Sequence, residues 1–86
     1  MVIRFTTAFR RMYRKLSQDQ QSHADRALRL FTENPFNPKL HNHKLAGSQE
    51  GMRSIAAGYD LRMIYIEKEG YSLVLFLMVG NHDTVY

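Results

Sequence analysis

The chain has 86 residues, of which 44% are hydrophobic and none is cysteine, and its formal net charge at neutral pH is +4. This length and composition favour one folded domain over residues 1–86 and argue against disorder, and the lack of cysteine excludes disulfide and thiolate chemistry. The longest apolar run, Leu73–Val79, is far shorter than the ~20 residues of a membrane helix. Arginines near the N-terminus also interrupt any hydrophobic segment of a secretory signal. We therefore expect a soluble, cytoplasmic protein without a membrane partner.

The first segment predicts a strand followed by an amphipathic helix. Met1–Phe5 is rich in β-forming residues, and Thr6 or Thr7 then supplies an N-cap. Apolar residues follow at the spacing of one helix face: Phe9, Met12, Tyr13 and Leu16. The other sides carry a basic cluster: Arg10, Arg11, Arg14 and Lys15. Such a cluster can bind phosphate, but it is more often a solvated helix face or a site for a partner.

A second helix is predicted from Ser17 to about Thr32. Ser17 and Gln20 have the spacing of a capping box, and Asn34-Pro35 ends the helix because proline disfavours a helical residue before it. Its apolar stripe consists of Ala24, Ala27, Leu28 and Phe31. The short joint between the two helices favours an antiparallel hairpin.

Pro35–Gly51 is the one long stretch without a clear periodic pattern. Loops of this length are uncommon in compact domains and are often functional. We expect Leu40 and Leu45 to anchor it to the core. His41 and His43 stand two residues apart, but no third ligand follows at a familiar spacing, so we predict no metal site.

Three strands are predicted after this loop. Met52–Ala56 is the first, and Gly58-Tyr59-Asp60 forms the turn into Leu61–Ile66. In that second strand Leu61, Met63 and Tyr65 share one face. Ser72–Val79 is apolar on both faces, which is typical of a central strand, and we expect Gly80 to end it before a short polar tail.

The predicted order is β-α-α-β-β-β, which indicates an α+β domain. Grouped helices followed by meandering strands favour a helical hairpin packed on one face of a small, mainly antiparallel sheet. The other face is then open. An open sheet face that is edged with arginine and histidine is a good candidate for a binding surface.

Three motifs resemble those of the RelE/ParE superfamily of toxins from bacterial type II toxin–antitoxin pairs, and are most similar to its RelE and YafQ branches. They are HKLAGS (His43–Ser48), RSIAAGYDLRMIY (Arg53–Tyr65) and VGNHDTVY (Val79–Tyr86). The resemblance implies a RelE-like fold and an mRNA interferase, which is a ribosome-dependent endoribonuclease that cuts mRNA in the A site. It also implies attack by the RNA 2′-OH without a metal or cofactor, and a cognate antitoxin that binds the toxin in a hetero-oligomeric complex.

The resemblance also implies roles for particular residues. Arg62 matches the strand arginine near the scissile phosphate, and His82 matches the catalytic residue of the last strand. The remaining catalytic candidates are Tyr86, which matches a terminal aromatic residue, Asp60, which matches an acidic residue, and His43, which matches a loop histidine. The candidates for binding RNA phosphate are Lys44, Arg53 and Arg62.

These residue types suit cleavage by a 2′-OH, which needs a base, an acid and positive charge on the phosphorane. Histidine has an ordinary pKa of ~6.5, so it exchanges protons near neutral pH, and arginine donates paired hydrogen bonds to phosphate. Tyr86 can stack on a base or transfer a proton. Asp60 can orient His43 or His82, or it can pair with Arg62.

Departures from the YafQ pattern leave two alternatives open. The chain has Ala56, Leu61 and Met78 where YafQ-like chains have a histidine, an aromatic residue and an arginine. The paired lysines of RelE are represented at most by Arg53. The alternatives are a non-enzymatic, ParE-like toxin that binds DNA gyrase, and a degenerate homologue that binds only an antitoxin.

Overall fold

A computed structural model describes all residues, 1–86, as a five-stranded sheet with helices on it. The elements are β1 (Val2–Phe5), α1 (Thr7–Arg14), α2 (Gln18–Glu33), β2 (His43–Lys44), β3 (Arg53–Ala56), β4 (Leu61–Lys68), β5 (Leu73–Asn81) and α3 (His82–Val85). The spatial order is β1-β5-β4-β3-β2; β1 runs parallel to β5, and the other pairs are antiparallel. The predicted α+β class and mainly antiparallel sheet are therefore confirmed. None of the helices has the length and apolar composition that a membrane crossing requires.

The predicted caps define where α1 and α2 begin. The Thr6 hydroxyl accepts a hydrogen bond from the Phe9 amide and donates one to the Leu77 carbonyl at 2.9 Å, so this cap also ties α1 to β5. Ser17 and Gln20 form the capping box in both directions. The Tyr13 hydroxyl donates to Asp25 at 2.7 Å, which links the two helices of the hairpin.

The main core lies between the helical hairpin and one face of the sheet. Phe31 of α2 packs edge-on against Tyr65 and Phe76, with ring centroids 5.0 and 5.2 Å away. The predicted alternation in β4 is confirmed, since Leu61, Met63 and Tyr65 all belong to this buried cluster. Because side chains alternate across a strand, the residues between them face the opposite side of the sheet.

A bulge in β5 shifts the alternation halfway along that strand. Tyr65 stands opposite Phe76 but Ile64 stands opposite Met78, so Leu77 has no cross-strand partner. As a result Phe76 and Val79, three residues apart, both join the core. An extra residue of this kind moves each later side chain of the strand to the opposite face of the sheet from the one it would otherwise occupy. Met78 and Gly80 consequently lie on the face away from the helical hairpin.

The prediction that Gly80 ends the strand is wrong, because β5 continues to Asn81. Gly80 pairs with Arg62 inside the ladder. A Cβ atom at Gly80 would lie 3.1 Å from Cγ2 of Thr84, which is closer than side chains normally pack. The glycine therefore provides room for the following helix to approach the sheet.

The loop and the tail also differ from the prediction. The loop contains β2 and two single-turn 3₁₀ helices, Pro38–Leu40 and Gly47–Gln49. Leu40 is buried in the core as expected, whereas Leu45 is only half-buried and lies outside the core cluster. The tail is not irregular: it forms α3 and covers part of the sheet face that was expected to be open.

Candidate active site

Five side chains lie on the sheet face opposite the helical hairpin, and we call this group the open-face site: His43, Ser54, Arg62, His82 and Tyr86. Strand register places the first three. His43 stands opposite Ser54, and Ser54 stands opposite Ile64. Arg62 stands between two small neighbours, Ala56 and Gly80. One Arg62 nitrogen donates to the Leu61 carbonyl at 2.9 Å, and the side chain is half-buried.

Helix α3 brings His82 and Tyr86 together. They are four residues apart, which puts them on one side of a helical turn, and the Tyr86 amide donates to the His82 carbonyl at 3.1 Å. The His82 ring stands edge-on to the Tyr86 ring, with centroids 4.5 Å apart. The His82 side chain is 60% exposed, so its ring nitrogens are accessible to a substrate.

Three contacts fix α3 on the sheet. Asn81 caps the helix by accepting from the amide and hydroxyl of Thr84, both at 2.8 Å. The Gln49 amide donates to the Val85 carbonyl at 2.7 Å. The Tyr86 hydroxyl forms a hydrogen bond with the hydroxyl of Ser54, which is fully buried. The tail is therefore held in place by contacts with the loop, with β3 and with its own capping residue.

Sequence reasoning missed Ser54 and Gln49. The one signal for Ser54 was its place in a strand between apolar neighbours, because a buried hydroxyl there needs a hydrogen-bond partner. Nothing in the sequence indicated Gln49, because its contact joins residues that are 36 positions apart.

The backbone fixes the ring of His43 in one tautomer. Nδ1 of His43 lies 2.8 Å from the carbonyl oxygen of His41. A carbonyl only accepts hydrogen bonds, so in the neutral ring the proton is on Nδ1 and Nε2 is free to accept a proton. His41 itself adopts the left-handed conformation at the end of a 3₁₀ helix, which directs its carbonyl toward this ring.

A buried polar network holds the loop that leads to His43. The Tyr65 hydroxyl donates to the Asn42 side chain at 2.7 Å and lies 2.8 Å from the Tyr71 hydroxyl. Asn42 also donates to the Pro35 carbonyl and accepts from Arg53, both at 3.0 Å. Burial and the hydrogen bond with Tyr71 raise the pKa of Tyr65 far above the usual tyrosine range. Asn42 therefore joins the start of the loop, the core and β3.

Arg53 and Lys44 are not brought to the open-face site. Arg53 pairs with Tyr65 and has its guanidinium 5.5 Å from the Phe36 ring, so it lies on the face of the helical hairpin. Lys44 pairs with Arg53. Both line a separate cleft of about 380 Å³ at the end of the sheet. Arg53 and Arg62 therefore lie on opposite faces of the sheet.

Asp60 lies in an exposed turn at the His82 end of the site. It precedes Leu61, which pairs with Asn81. Asp60 forms no ion pair, because the one ion pair in the molecule joins His82 Nδ1 and Asp83 Oδ1 at 3.7 Å.

None of the 12 lysines and arginines is paired with a carboxylate. The basic charge is therefore available to a polyanion. No group of three or more His, Asp or Glu side chains is arranged to hold a metal ion.

Comparison with known proteins places this architecture among bacterial toxins. Residues 1–86 match the family described as the bacterial toxin of type II toxin–antitoxin systems, YafQ. The structure of YafQ from E. coli strain BL21(DE3) is similar with a TM-score of 0.79 and 21% identity, covering 98% of this chain and 96% of that chain. A YoeB/ParE toxin from Agrobacterium tumefaciens has a TM-score of 0.78 and 15% identity, covering 95% and 99%.

The fold also occurs in a structure of a toxin–antitoxin complex. RelBE2 from Mycobacterium tuberculosis is similar with a TM-score of 0.64 and 23% identity, covering 94% of this chain and 96% of that chain. A comparison with curated proteins gave no match. At these identities the solved structures show a common fold and do not assign chemistry to residues.

Proposed function

The chain belongs to the YafQ family of toxins of bacterial type II toxin–antitoxin systems, and on that premise we propose that it is a ribosome-dependent endoribonuclease that cleaves mRNA in the A site. The observation that carries the proposal is the docking of α3. The bond between Tyr86 and Ser54 holds the helix on the sheet, so His82 lies on the same face as Arg62 and His43. A base, a cation and an acid are then available to one phosphodiester.

The reaction uses the RNA's own 2′-OH as the nucleophile. His43 Nε2 takes the proton of that hydroxyl, and the 2′-oxygen forms a bond to the adjacent phosphorus. Arg62 donates hydrogen bonds to the phosphate oxygens as negative charge accumulates on them. His82, in its protonated form, gives a proton to the 5′-oxygen as the bond between that oxygen and phosphorus breaks. The products are a 2′,3′-cyclic phosphate and a 5′-hydroxyl, with no metal or cofactor consumed.

Tyr86 has a positioning and stacking role in this scheme. Its hydroxyl is engaged with Ser54, so the phenol is not assigned a proton transfer. Tyr86 is 41% exposed, and its ring can stack on a base of single-stranded RNA. Asp60, in the neighbouring turn, is assigned to the entrance of the site and not to the reacting phosphate.

A cognate antitoxin is the second proposed partner. The unpaired basic groups favour an acidic segment that is disordered in the free antitoxin and folds on the toxin. The complex is then hetero-oligomeric, and the whole of residues 1–86 acts as one toxin domain. A small protein with an acidic tail, encoded beside this gene, is the expected partner.

The test is induced expression in a bacterial host, followed by mapping of mRNA 5′ ends. We expect cuts inside translated frames at regular codon positions. His82→Ala should abolish the cuts while antitoxin binding is kept, because His82 is mostly exposed. His41→Asn is the matched control, because asparagine tolerates the left-handed backbone at that position and retains the carbonyl that contacts His43.

Two results would contradict the proposal. Growth arrest with intact mRNA and broken or over-supercoiled DNA would support a toxin that acts on gyrase. Absence of arrest in the wild type would indicate a degenerate protein that only binds its antitoxin.

A further inference from the structure

We propose that His23, Arg26, Lys39 and Tyr59 form a second RNA subsite, which binds one phosphate and one stacked base beside the cleavage site. The inference rests on the proposed function, because it assigns these residues to the same RNA strand or to the ribosomal RNA around it. We call this group the flanking subsite. None of the motifs that resemble known toxins places a role on its three basic residues.

The phosphate half of the flanking subsite is a cleft of about 240 Å³ between α2 and the turn after β3. His23 and Arg26 are three residues apart on α2, so they project from neighbouring positions on one helix face. Lys39 enters from the 3₁₀ helix on the other side. The floor is apolar and is formed by residues such as Ala27, Leu40 and Ala57.

The charges of this cleft are not neutralised within the protein. No aspartate or glutamate lines it, and neither Arg26 nor Lys39 forms an ion pair. A solvated basic face would spread such groups apart, whereas here three of them border one concave surface. Arg26 and Lys39 would both attract an anion in the cleft, and Arg26 can hold a phosphate with two parallel hydrogen bonds.

The base half of the flanking subsite is the tip of the turn. Tyr59 is 98% exposed, the largest exposure of any large hydrophobic side chain in the protein, so packing does not explain its presence. It lines a second cleft together with His23, Asp60 and Asn81. An exposed aromatic ring beside a basic groove is the arrangement that binds single-stranded nucleic acid through stacking.

The two clefts connect the flanking subsite to the catalytic residues. His23 borders both clefts, and Asn81 directly precedes His82. Gly58 makes the connection possible, since a Cβ atom there would lie 2.7 Å from Nδ1 of His23. The second cleft is also lined by Asp19 and Asp60. These carboxylates repel phosphate, which favours a base over the turn and the phosphate in the basic cleft.

The test uses wild-type protein and RNA oligonucleotides with 2′-O-methyl groups, which bind but cannot react. Binding of an octanucleotide and a trinucleotide is measured by fluorescence anisotropy at several salt concentrations. For Arg26→Ala/Lys39→Ala we expect at least about tenfold weaker binding of the octanucleotide and a salt slope reduced by about 0.7, the loss of one phosphate contact on a single strand. Tyr59→Ala should weaken it by about tenfold through lost stacking. Binding of the trinucleotide, which spans the cleavage site alone, should be unchanged.

The matched control is Arg29→Ala, because Arg29 is an exposed arginine of the same helix that lies outside both clefts. A loss for the double variant that does not exceed the Arg29→Ala loss, together with unchanged ribosome binding, would overturn the flanking subsite. Thermal unfolding of each variant separates binding from folding, and all the substituted side chains are exposed.

A second arm identifies the source of the RNA. If the subsite binds mRNA, the octanucleotide affinity falls as stated. If it binds ribosomal RNA, the octanucleotide affinity is unchanged, but the double variant sediments with ribosomes several-fold less than Arg29→Ala does. Loss of binding in a protein that never cleaves mRNA would support the subsite and contradict the proposed function. If the protein cleaves mRNA but the double variant binds both the octanucleotide and ribosomes as the wild type does, the proposed function would be supported and the flanking subsite contradicted.

Discussion

At the scale of single residues, Ser54 is fully buried, and the partner of its hydroxyl is the Tyr86 hydroxyl. A hydroxyl buried without a partner costs about 1–3 kcal/mol. The hydrogen bond therefore contributes to stability and also determines where α3 lies. The position of His82 depends on a residue that does not itself take part in the proposed chemistry.

Substitutions at this pair separate stacking from docking. Tyr86→Phe keeps the stacking ring but leaves Ser54 unpaired, so we expect the free energy of unfolding to fall by about 1–3 kcal/mol. Cleavage should fall in part, because the bond that holds α3 and His82 on the sheet is lost. Tyr86→Ala removes the ring as well and should lose cleavage further. Chemical denaturation and an mRNA cleavage assay measure the two effects. Equal cleavage by the phenylalanine and alanine variants would contradict the stacking role.

His43 gives a second prediction at this scale. His43→Asn removes the proton acceptor but leaves an amide that can still donate to the His41 carbonyl. We expect cleavage to fall by about 10²–10⁴-fold, the usual contribution of a general base. Affinity for a 2′-O-methyl oligonucleotide should be unchanged. A weakened affinity with an unchanged rate of the bound complex would make His43 a binding residue.

At the scale of elements, α3 is a single turn that cannot be stable alone. Isolated helices shorter than ~12 residues are marginal in water. The turn persists because Gly80 allows close packing, Asn81 caps it and Gln49 holds its last carbonyl. The loop that contains Gln49 is itself fixed by the Asn42 network, so two irregular segments support each other across the sheet.

Removing the Gln49 contact should loosen α3 without unfolding the domain. In Gln49→Ala we expect faster hydrogen exchange of the amides of Val85 and Tyr86, by about fivefold to tenfold, because one hydrogen bond contributes about 1 kcal/mol. Exchange in β4 should not change. Ser48→Ala is the control, since Ser48 is an exposed neighbour with no side-chain contact to the helix. Equal exchange at Val85 in both variants would show that Gln49 does not hold the turn.

At the scale of the whole molecule, the buried Tyr65 network predicts a loss of stability in alkaline solution. Burial and the Tyr71 hydrogen bond raise the pKa of Tyr65 in the folded state, whereas in the unfolded chain it is ~10. Above that pH the unfolded chain releases the proton and the folded chain keeps it, so stability falls as pH rises. The hydrogen bond to Asp25 raises the pKa of Tyr13 and adds an effect of the same sign.

The measurement is urea unfolding between pH 8 and pH 11.5. One retained proton corresponds to about 1.4 kcal/mol per pH unit above pH ~10. Tyr65→Phe should be less stable than wild type at pH 8, because the Asn42 and Tyr71 hydrogen bonds are lost. Its stability should nevertheless fall less steeply above pH 10. The same slope in both proteins would contradict the role of Tyr65.

Local patterns in the sequence determined most of the fold. The Ser17 capping box, the proline after Asn34 and the alternation of Leu61, Met63 and Tyr65 each depend on residues a few positions apart, so they are readable without tertiary contacts. The motifs around Arg62 and His82 also identified the toxin family. The bulge at Leu77 and the strand β2 were not predicted, because both exist only through pairing with a distant strand.

The sequence by itself determined the fold class, the family and the candidate residues Arg62, His82, Tyr86 and His43. Tertiary structure alone decided that these four share a face, that Arg53 and Lys44 lie on the other side, and that Ser54 and Gln49 hold the tail. The reason is physical. Caps and periodicity arise from neighbours along the chain, whereas the face that a side chain occupies depends on register, and one unpaired residue at Leu77 shifts it for the rest of the strand.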